Sequence, residues 1–358
     1  MKLIILAGGS GTRLWPVSRK NSPKQIKPII GDETLLENTF ARLRKGFPVS
    51  DIFIATNQVH SAAIKKQLKG VPRENYILEP ARRDTAAAIG LALVTIYKRD
   101  KDAIVMNINS DHHIKNDKEY VKIVSLTQKI IKEHPDAGVL IGVNPTYPET
   151  GYGYIKMGDE VGAFSGVKVF KIAEFKEKPS LEKAREYLEG WEYLWNMGCF
   201  AWRADVLLGL YKKHLPEMHR QLMKIYRAIG TKDERAVTEK EFSKIKPISM
   251  DYGIIEKVSK LLVIPADFGW ADVGHWRTVK EILSNKSEDS VKKGNVIDID
   301  SSGNLIYSYS NKLVALAGVE NMIIIETKDA ILICARDKAQ DVKKLVEKLK
   351  AEGLDKYL

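Results

Sequence analysis

The sequence predicts an α/β fold: a mixed, mainly parallel sheet flanked by helices, then a small C-terminal β-rich domain and a terminal helix. Three observations predict it. Over the first two-thirds of the 358 residues, short apolar runs alternate with helical patterns, the mark of strand-helix-strand units. From about Gly151 the pattern changes to longer β-like segments. A charged stretch without apolar periodicity, residues 285–293, then precedes a series of short β-rich runs. The expected domains are residues 1–284 and 285–358.

Residues 2–7 read as the first strand, and 51–55, 103–108 and 139–143 as further buried strands. Each is short, apolar and followed by a polar or glycine-containing turn. Between them, residues 35–43, 58–68, 85–97 and 120–131 repeat apolar side chains at three and four, which predicts helices packed on the sheet. Asp84 and Thr85 stand ahead of Ala86, Ala87 and Ala88 and are placed to cap that helix. Helices over 181–188 and 204–214 interrupt the later β-segments, and another follows Trp276. Beyond residue 293, Gly294-Asn295-Val296-Ile297 is echoed nine residues on by Gly303-Asn304-Leu305-Ile306, with β-rich runs at 313–317, 322–326 and 330–334. Short parallel β-helix rungs would give such an echo, and so would two unrelated turns that read alike. Val342, Leu345, Val346 and Leu349 share one face of the closing helix.

Composition narrows the class. The chain is 44% hydrophobic and 29% charged, which fits a globular protein rather than a disordered one. Its longest apolar runs, such as 103–106 and 322–325, fall far short of the ~20 residues that cross a bilayer. The apolar start of MKLIILAGG is shorter than a signal-peptide core of roughly 7–15 residues, so a cytoplasmic protein with no membrane partner is expected. Cys199 and Cys334 stand far apart without a CxxC or Cys/His cluster, which supports neither a disulfide framework nor a zinc site; buried, inert thiols are expected. The formal charge of +11 comes from lysines interspersed with acids, as in Lys176-Glu177-Lys178, a solvated surface rather than a phosphate-tracking stripe. No nucleic-acid partner is expected.

The most informative segment is LAGGSGTRLWPVSRKNSPKQ, residues 6–25. A glycine-rich loop directly after the first strand sets unpaired amides at the C-terminal edge of a parallel sheet, where phosphates are cradled. Leu14 occupies the place of the third glycine of a dinucleotide fingerprint, and no Gly-Lys-Ser/Thr follows as a Walker loop requires. Instead Arg13 ends the loop and Lys24 follows Pro23. Two fixed cations beside a nest of amides suit a triphosphate whose pyrophosphate must leave. A bare GGxG would read as a plain turn followed by surface cations.

The whole string resembles the signature of the sugar-phosphate nucleotidyltransferases. Trp15-Pro16 with Ser22-Pro23-Lys24-Gln25 is similar to the mannose-1-phosphate guanylyltransferase (GDP-mannose pyrophosphorylase) branch of that family. The resemblance recurs along essentially the full chain. Glu79-Pro80 with Arg83-Asp84-Thr85-Ala86 resembles the base-side motif, and Ser110-Asp111-His112 the metal motif at a strand end. Residues 150–155, TGYGYI, are similar to a sugar-contacting segment, and Phe175-Lys176-Glu177-Lys178-Pro179 to the Glu-Lys-Pro signature. Trp195-Asn196-Met197-Gly198 and Trp270-Ala271-Asp272-Val273-Gly274 complete the set. By the resemblance, no fused isomerase domain is expected after the C-terminal module, unlike in the longer bifunctional members.

The resemblance implies a Rossmann-like fold and the reaction of GTP with α-D-mannose 1-phosphate to give GDP-mannose and pyrophosphate, with Mg²⁺. Arg13 and Lys24 would act on the departing pyrophosphate. Leu6, Ala7, Gly8, Gly9, Gly11, Thr12, Glu79, Asp84 and Thr85 would hold the nucleotide. Gly151, Glu177, Lys178 and Asn196 would hold the sugar phosphate, and Asp111 and Asp272 the metal. The chemistry is consistent with each role. Mg²⁺ prefers carboxylate oxygen, and a carboxylate beside an amide suits hydroxyls that both donate and accept. Adjacent histidines on an extended segment face opposite ways, so His112 and His113 are expected to orient the loop. By the same alternation Lys178 is expected to point away from Glu177, toward the phosphate. Trp191, Trp195, Trp202, Trp270 and Trp276 are expected in the core.

Two positions depart from the family pattern: Asp84, where asparagine is usual, and Ser110, where alanine is usual. The first leaves guanine to be read by Glu79, by Asp84 or by backbone carbonyls, with Asp84 in the last case a helix cap. The alternatives are another base or hexose, such as UTP or dTTP with glucose 1-phosphate, and a regulatory paralogue that binds a nucleotide sugar without turning it over. A homodimer through the C-terminal domain is a further expectation.

Overall fold

The computed structural model describes residues 1–9 and 11–358; Ser10, in the predicted glycine loop, lies outside the described residues. Two compact units share the chain discontinuously. The first comprises residues 1–8, 41–109 and 114–270, and the second 9–40, 110–113 and 271–358. The strands in chain order are β1 (Lys2–Leu6), β2 (Ile52–Asn57), β3 (Tyr76–Glu79), β4 (Ile104–Asn109), β5 (His112–Ile114), β6 (Gly138–Val143), β7 (Gly153–Phe164), β8 (Val167–Glu177), β9 (Tyr193–Arg203), β10 (Leu261–Ala266) and β11 (Trp270–Asp272). The helices are α1 (Leu35–Leu43), α2 (Gln58–Gln67), α3 (Asp84–Arg99), α4 (Asp117–Glu133), α5 (Leu181–Glu189), α6 (Ala204–His214), α7 (Pro216–Ala228), α8 (Glu234–Phe242) and α9 (Met250–Gly253).

The first unit is built on a nine-stranded sheet of order β3-β2-β1-β4-β9-β6-β10-β8-β7. Strands β1 to β4 pair in parallel, as do β6 and β10. The β9 strand enters antiparallel between β4 and β6, and β8 runs against β10. This is the mixed, mainly parallel sheet that the sequence predicts. Its parallel strands are near-continuous Ile, Val and Leu because both faces are covered: every residue of β2 and β6 is buried. The α3 helix packs its Ala86, Ala87, Ile89, Leu93 and Val94 into the main core with Ile4, Phe53 and Val105. Side chains that small at the start of a helix let it approach the sheet closely.

The second unit continues with α10 (Trp276–Leu283), β12 (Val291–Lys293), β13 (Val296–Ile299), β14 (Leu305–Ser308), β15 (Val314–Ala317), β16 (Met322–Glu326), β17 (Ile331–Ala335) and α11 (Val342–Ala351). Strands β12, β14 and β16 pair in parallel, and so do β13 and β15. These are short parallel β-helix rungs. Leu305 pairs with Ile323 and Val296 with Val314, each eighteen residues on. The nine-residue echo in the sequence therefore relates two sides of one coil, not successive coils. The unit's core joins Leu14, Trp15, Val17, Ile29 and Leu35 to Val273, Trp276, Leu305, Ile323 and Val342. The terminal helix turns Val342, Val346 and Leu349 into that core, while Leu345 is exposed.

Two expectations about single residues need correction. Trp191, expected in the core, is 94% exposed because it lies in the turn between α5 and β9. Cys334 is only partly buried, on antiparallel edge strand β17, although burial still pushes its thiol up to about 11. Among the described residues no helix is long and apolar enough to cross a membrane.

Candidate active site

In the first unit, the nucleotide-side residues gather at the C-terminal ends of β1 and β3. Ala7 continues β1 through its N–H to Ala55 O, 2.8 Å, and its carbonyl accepts from Thr56 Oγ1 at 3.1 Å. Glu79 ends β3, only 6% exposed, and a Cβ on Gly8 would stand 3.4 Å from its Oε1. The carboxyl therefore lies against the bare backbone of the loop. Among the described residues no hydrogen bond reaches it. Burial pushes its pKa up to about 7, with Arg82 pulling weakly the other way. Asp84 is exposed and left-handed, φ 66°, and its Oδ1 accepts from Thr85 N at 2.7 Å. Thr85 Oγ1 accepts from Met250 N at 2.8 Å, which ties the start of α3 to α9. Of the two carboxylates on the base side, Asp84 serves the helix end, and Glu79 is the buried one, with no hydrogen bond from the described residues.

The sugar-side residues also belong to the first unit and meet on one rung of the sheet. Gly153 pairs with Glu177 across β7–β8 and with Asn196 across β7–β9, so the two side chains flank it on one face. A Cβ on Gly153 would come 2.5 Å from Glu177 Oε2 and 3.2 Å from Asn196 Cβ. Only glycine leaves that space. Asn107 and Asn109 of β4 bond the β9 bulge beyond Asn196, donating to Gly198 O at 2.7 Å and Met197 O at 3.2 Å. Gly151 lies apart on the preceding exposed turn, its N–H donating to Glu149 Oε1 at 2.8 Å.

Lys178 does not point away from Glu177 as strand alternation predicts. It follows the last residue of β8 in the left-handed region, φ 48°, which breaks the alternation and folds its ammonium back onto Glu177 Oε1. The same ammonium lies 5.7 Å above the Tyr252 ring. Burial works against its charge, but Glu177 more than offsets this and holds Lys178 above its ordinary pKa. The sequence reading missed Asp251. Its Oδ1 accepts from Asn196 Nδ2 at 2.9 Å, and burial with Glu177 nearby raises it to about 7.

The second unit holds the cations and metal-type ligands. Gly11 is left-handed, φ 60°, and a Cβ there would lie 2.7 Å from Lys24 Cγ and 2.9 Å from Ser18 Oγ. The Lys24 stem thus runs over Gly11, and Gln25 Nε2 holds Gly9 O at 3.1 Å. Thr12 opens the following turn, Thr12–Leu14, and Arg13 within it is exposed. Lys24 Nζ donates to Val273 O at 2.8 Å and reaches Asp111 Oδ2 at 2.8 Å and Asp272 Oδ1 at 3.8 Å. Burial disfavours both charges of the Lys24–Asp111 pair, yet their mutual attraction prevails: the ammonium is held above its ordinary pKa and the carboxylate below. Asp111, His112 and Asp272 each offer a ligand atom within 4.8 Å of the others. His112, the first residue of β5, thus offers a ligand atom to the cluster, a role the sequence reading did not assign it; His112 and His113 alternate along β5, buried and half-buried, as expected. Burial lowers His275 to about 4, so it is a neutral cap for α10 through Thr278 N at 3.3 Å.

Two carboxylates and an imidazole, with a cation already drawn to them, fit a divalent metal. Hard oxygens suit Mg²⁺, and the ring nitrogen admits Mn²⁺ as well.

The nucleotidyl transferase family matches residues 2–288, and the MannoseP isomerase/GMP-like β-helix domain matches residues 294–349. A Vibrio cholerae protein named putative mannose-1-phosphate guanylyltransferase is 37% identical over 360 residues, covering 99% of this chain and 75% of its own length. The Salmonella typhimurium mannose-1-phosphate guanylyltransferase ManC is 38% identical, with 98% and 73% covered. The crystal structure of a Thermus thermophilus protein described as mannose-1-phosphate geranyltransferase superposes at TM-score 0.88 with 30% identity, over 98% of this chain and 99% of that one. A Helicobacter pylori structure described as mannose-6-phosphate isomerase, at TM-score 0.61 and 23% identity, shares the fold over 76% of this chain and 99% of its own. Nucleotidyl transferases of this kind generally work with a divalent metal. With matches over nearly its whole length and these residues in place, the chain belongs to the nucleotidyl transferase family, in its mannose-1-phosphate guanylyltransferase branch.

Proposed function

We propose that the chain makes GDP-mannose and pyrophosphate from GTP and α-D-mannose 1-phosphate. A phosphate oxygen of the sugar phosphate attacks the α-phosphorus of GTP, a new O–P bond forms, and the bond to the β-phosphate oxygen breaks with its electron pair leaving on pyrophosphate. No covalent enzyme intermediate is required, because the nucleophile arrives ionised. Catalysis is then positioning and charge stabilisation.

The observation that carries the reading is the Lys24, Asp111 and Asp272 group, a buried ammonium held on two metal-type carboxylates. A protein that only binds nucleotide sugars has no use for that combination. Asp111 and Asp272 would hold Mg²⁺, with His112 beside them, and the ion would neutralise phosphate charge during transfer. Lys24 and Arg13 would take the charge of the departing pyrophosphate, with the amides of Gly9, Gly11 and Thr12 on the same phosphates. Glu79 would accept from the ring N–H and exocyclic amine of guanine, while Leu6, Ala7 and Gly8 line the base with backbone and Thr85 and Asp84 fix the start of α3. Glu177 and Asn196 would hold hexose hydroxyls beside Gly151, and Lys178 would meet the sugar phosphate by leaving Glu177.

Pyrophosphate release over four nucleoside triphosphates and three hexose 1-phosphates tests the reading, with Asp111→Asn and Asp272→Asn beside the parent. GTP with mannose 1-phosphate should give the highest kcat/KM, only with divalent metal, and each variant should lose orders of magnitude. Faster turnover of UTP or dTTP with glucose 1-phosphate would replace the substrates. Binding without turnover would make the chain a regulatory paralogue.

A further inference from the structure

The hydrogen bonds around Asn196 leave it a smaller share of substrate recognition than its motif implies. Its Oδ1 accepts from Gly198 N at 2.9 Å, and one amide N–H is given to Asp251 Oδ1 at 2.9 Å. One N–H and one Oδ1 lone pair remain for a ligand. Glu177 has its Oε1 on Lys178, while its Oε2 faces the space above Gly153. Asp251, by contrast, has its Oδ1 engaged by Asn196 and lies on a four-residue helix fixed by the Ser249 cap, which accepts from Tyr252 N at 3.3 Å. Asp251 remains partly accessible, unlike Glu177 and Asn196, which are 7% and 8% exposed. Two carboxylates that share an environment repel each other; Lys178 on Glu177 Oε1 and Asn196 Nδ2 on Asp251 Oδ1 each offset part of that repulsion, and further donors placed between the pair would offset more. Sugar hydroxyls are donors of that kind.

We propose that Asp251 is a hexose-contacting, specificity-determining residue, acting with Glu177 as a pair of acceptors that read ring hydroxyls of the sugar 1-phosphate. This rests on the reading of the cluster as the sugar site. Burial and the nearby Glu177 charge keep Asp251 ready to give up or share a proton, which suits an acceptor that must discriminate hydroxyl from hydrogen. The competing role is purely structural: Asp251 would only orient Asn196 and never touch the sugar.

The two roles separate in a cycle of Asp251→Asn against monodeoxy mannose 1-phosphates lacking the 2-, 3-, 4- or 6-hydroxyl. If Asp251 touches the sugar, the parent loses roughly ten- to a hundred-fold in kcat/KM for one missing hydroxyl, and Asp251→Asn loses little further on that same analogue. The variant's KM for the hexose phosphate rises while its KM for the nucleotide stays within about two-fold. A purely orienting Asp251 would act only through Asn196, so in an Asn196→Ala background Asp251→Asn would change no hydroxyl penalty further, which would overturn the assignment; a direct contact would keep its hydroxyl-specific effect in that background. Should Asp251→Asn fail to fold, Asp251→Ser carries the same cycle. If the parent prefers another hexose phosphate, the proposed substrate fails, and deoxy analogues of the preferred sugar then decide Asp251 on its own.

Discussion

If Glu79 reads the base as proposed, it sets stability against recognition, and Glu79→Gln reads both. In the folded chain burial carries its pKa from 4.5 to about 7. At about 1.4 kcal/mol for each unit of pKa, that is about 3 kcal/mol. The sign follows from proton counting. Between pH 4.5 and 7 the unfolded chain has lost this proton and the folded chain has kept it, so stability falls as pH rises through that window and is level above it. Glutamine has no such titration. Urea unfolding of parent and variant from pH 4 to pH 8.5 should give a difference curve that moves by about 3 kcal/mol in favour of the variant between pH 4.5 and 7. Any fixed cost of burying the new amide shifts the whole curve and leaves its shape. The same substitution should lower the preference for GTP over ATP by roughly ten- to a hundred-fold, since a buried two-point acceptor is lost. Parallel stability curves would refute the desolvation of Glu79. An unchanged GTP preference would assign the base to backbone groups.

Two further perturbations follow from distances in the site. Lys24→Met leaves Asp111 and Asp272 without their ammonium. Breaking a buried pair costs ~3–5 kcal/mol, and with the Asp111 side chain 27% exposed a loss of about 2 kcal/mol is expected in EDTA. Adding Mn²⁺ should then raise the melting temperature of the variant more than that of the parent; equal responses would show that Lys24 is not the resident counter-ion of the carboxylates. Gly153→Ala places a methyl 2.5 Å from Glu177 Oε2. The hexose-phosphate KM should rise roughly ten-fold or more with the nucleotide KM nearly constant, and an equal rise in both would detach Gly153 from the sugar side.

What the sequence made legible follows from which signals are local. The parallel strands were readable because a strand covered on both faces must be largely apolar, as residues 52–55 and 138–143 are. Lys24 and Arg13 were readable because they share one short segment with the glycine loop. Strand β9 was placed only as a β-like stretch: its antiparallel entry between β4 and β6 is a property of pairing, and nothing within residues 193–203 encodes its partners. Asp251 escaped for the same reason, since its link to Asn196 spans 55 positions and no motif joins them. The alternation expected of His112 and His113 holds along β5, but alternation alone does not tell which of the two neighbours Asp111 and Asp272, since that pairing is set by the fold. Lys178 was misjudged by the same argument, because a left-handed backbone at a lysine leaves no mark in the sequence.

The interleaving of the two units has a consequence during synthesis. Residues 9–40 carry the glycine loop and Lys24, and their Leu14, Trp15, Val17, Ile29 and Leu35 pack with side chains from Val273 onward. A ribosome adding roughly 5–20 residues per second needs on the order of 10–45 s to make the intervening stretch. Throughout that interval the early segment has none of its later packing partners and offers bare apolar surface to chaperones. The segment proposed to bind triphosphate is thus among the first to be made and among the last to be finished, and a nascent chain arrested before residue 271 lacks both Asp272 and the core that would hold Lys24 in place.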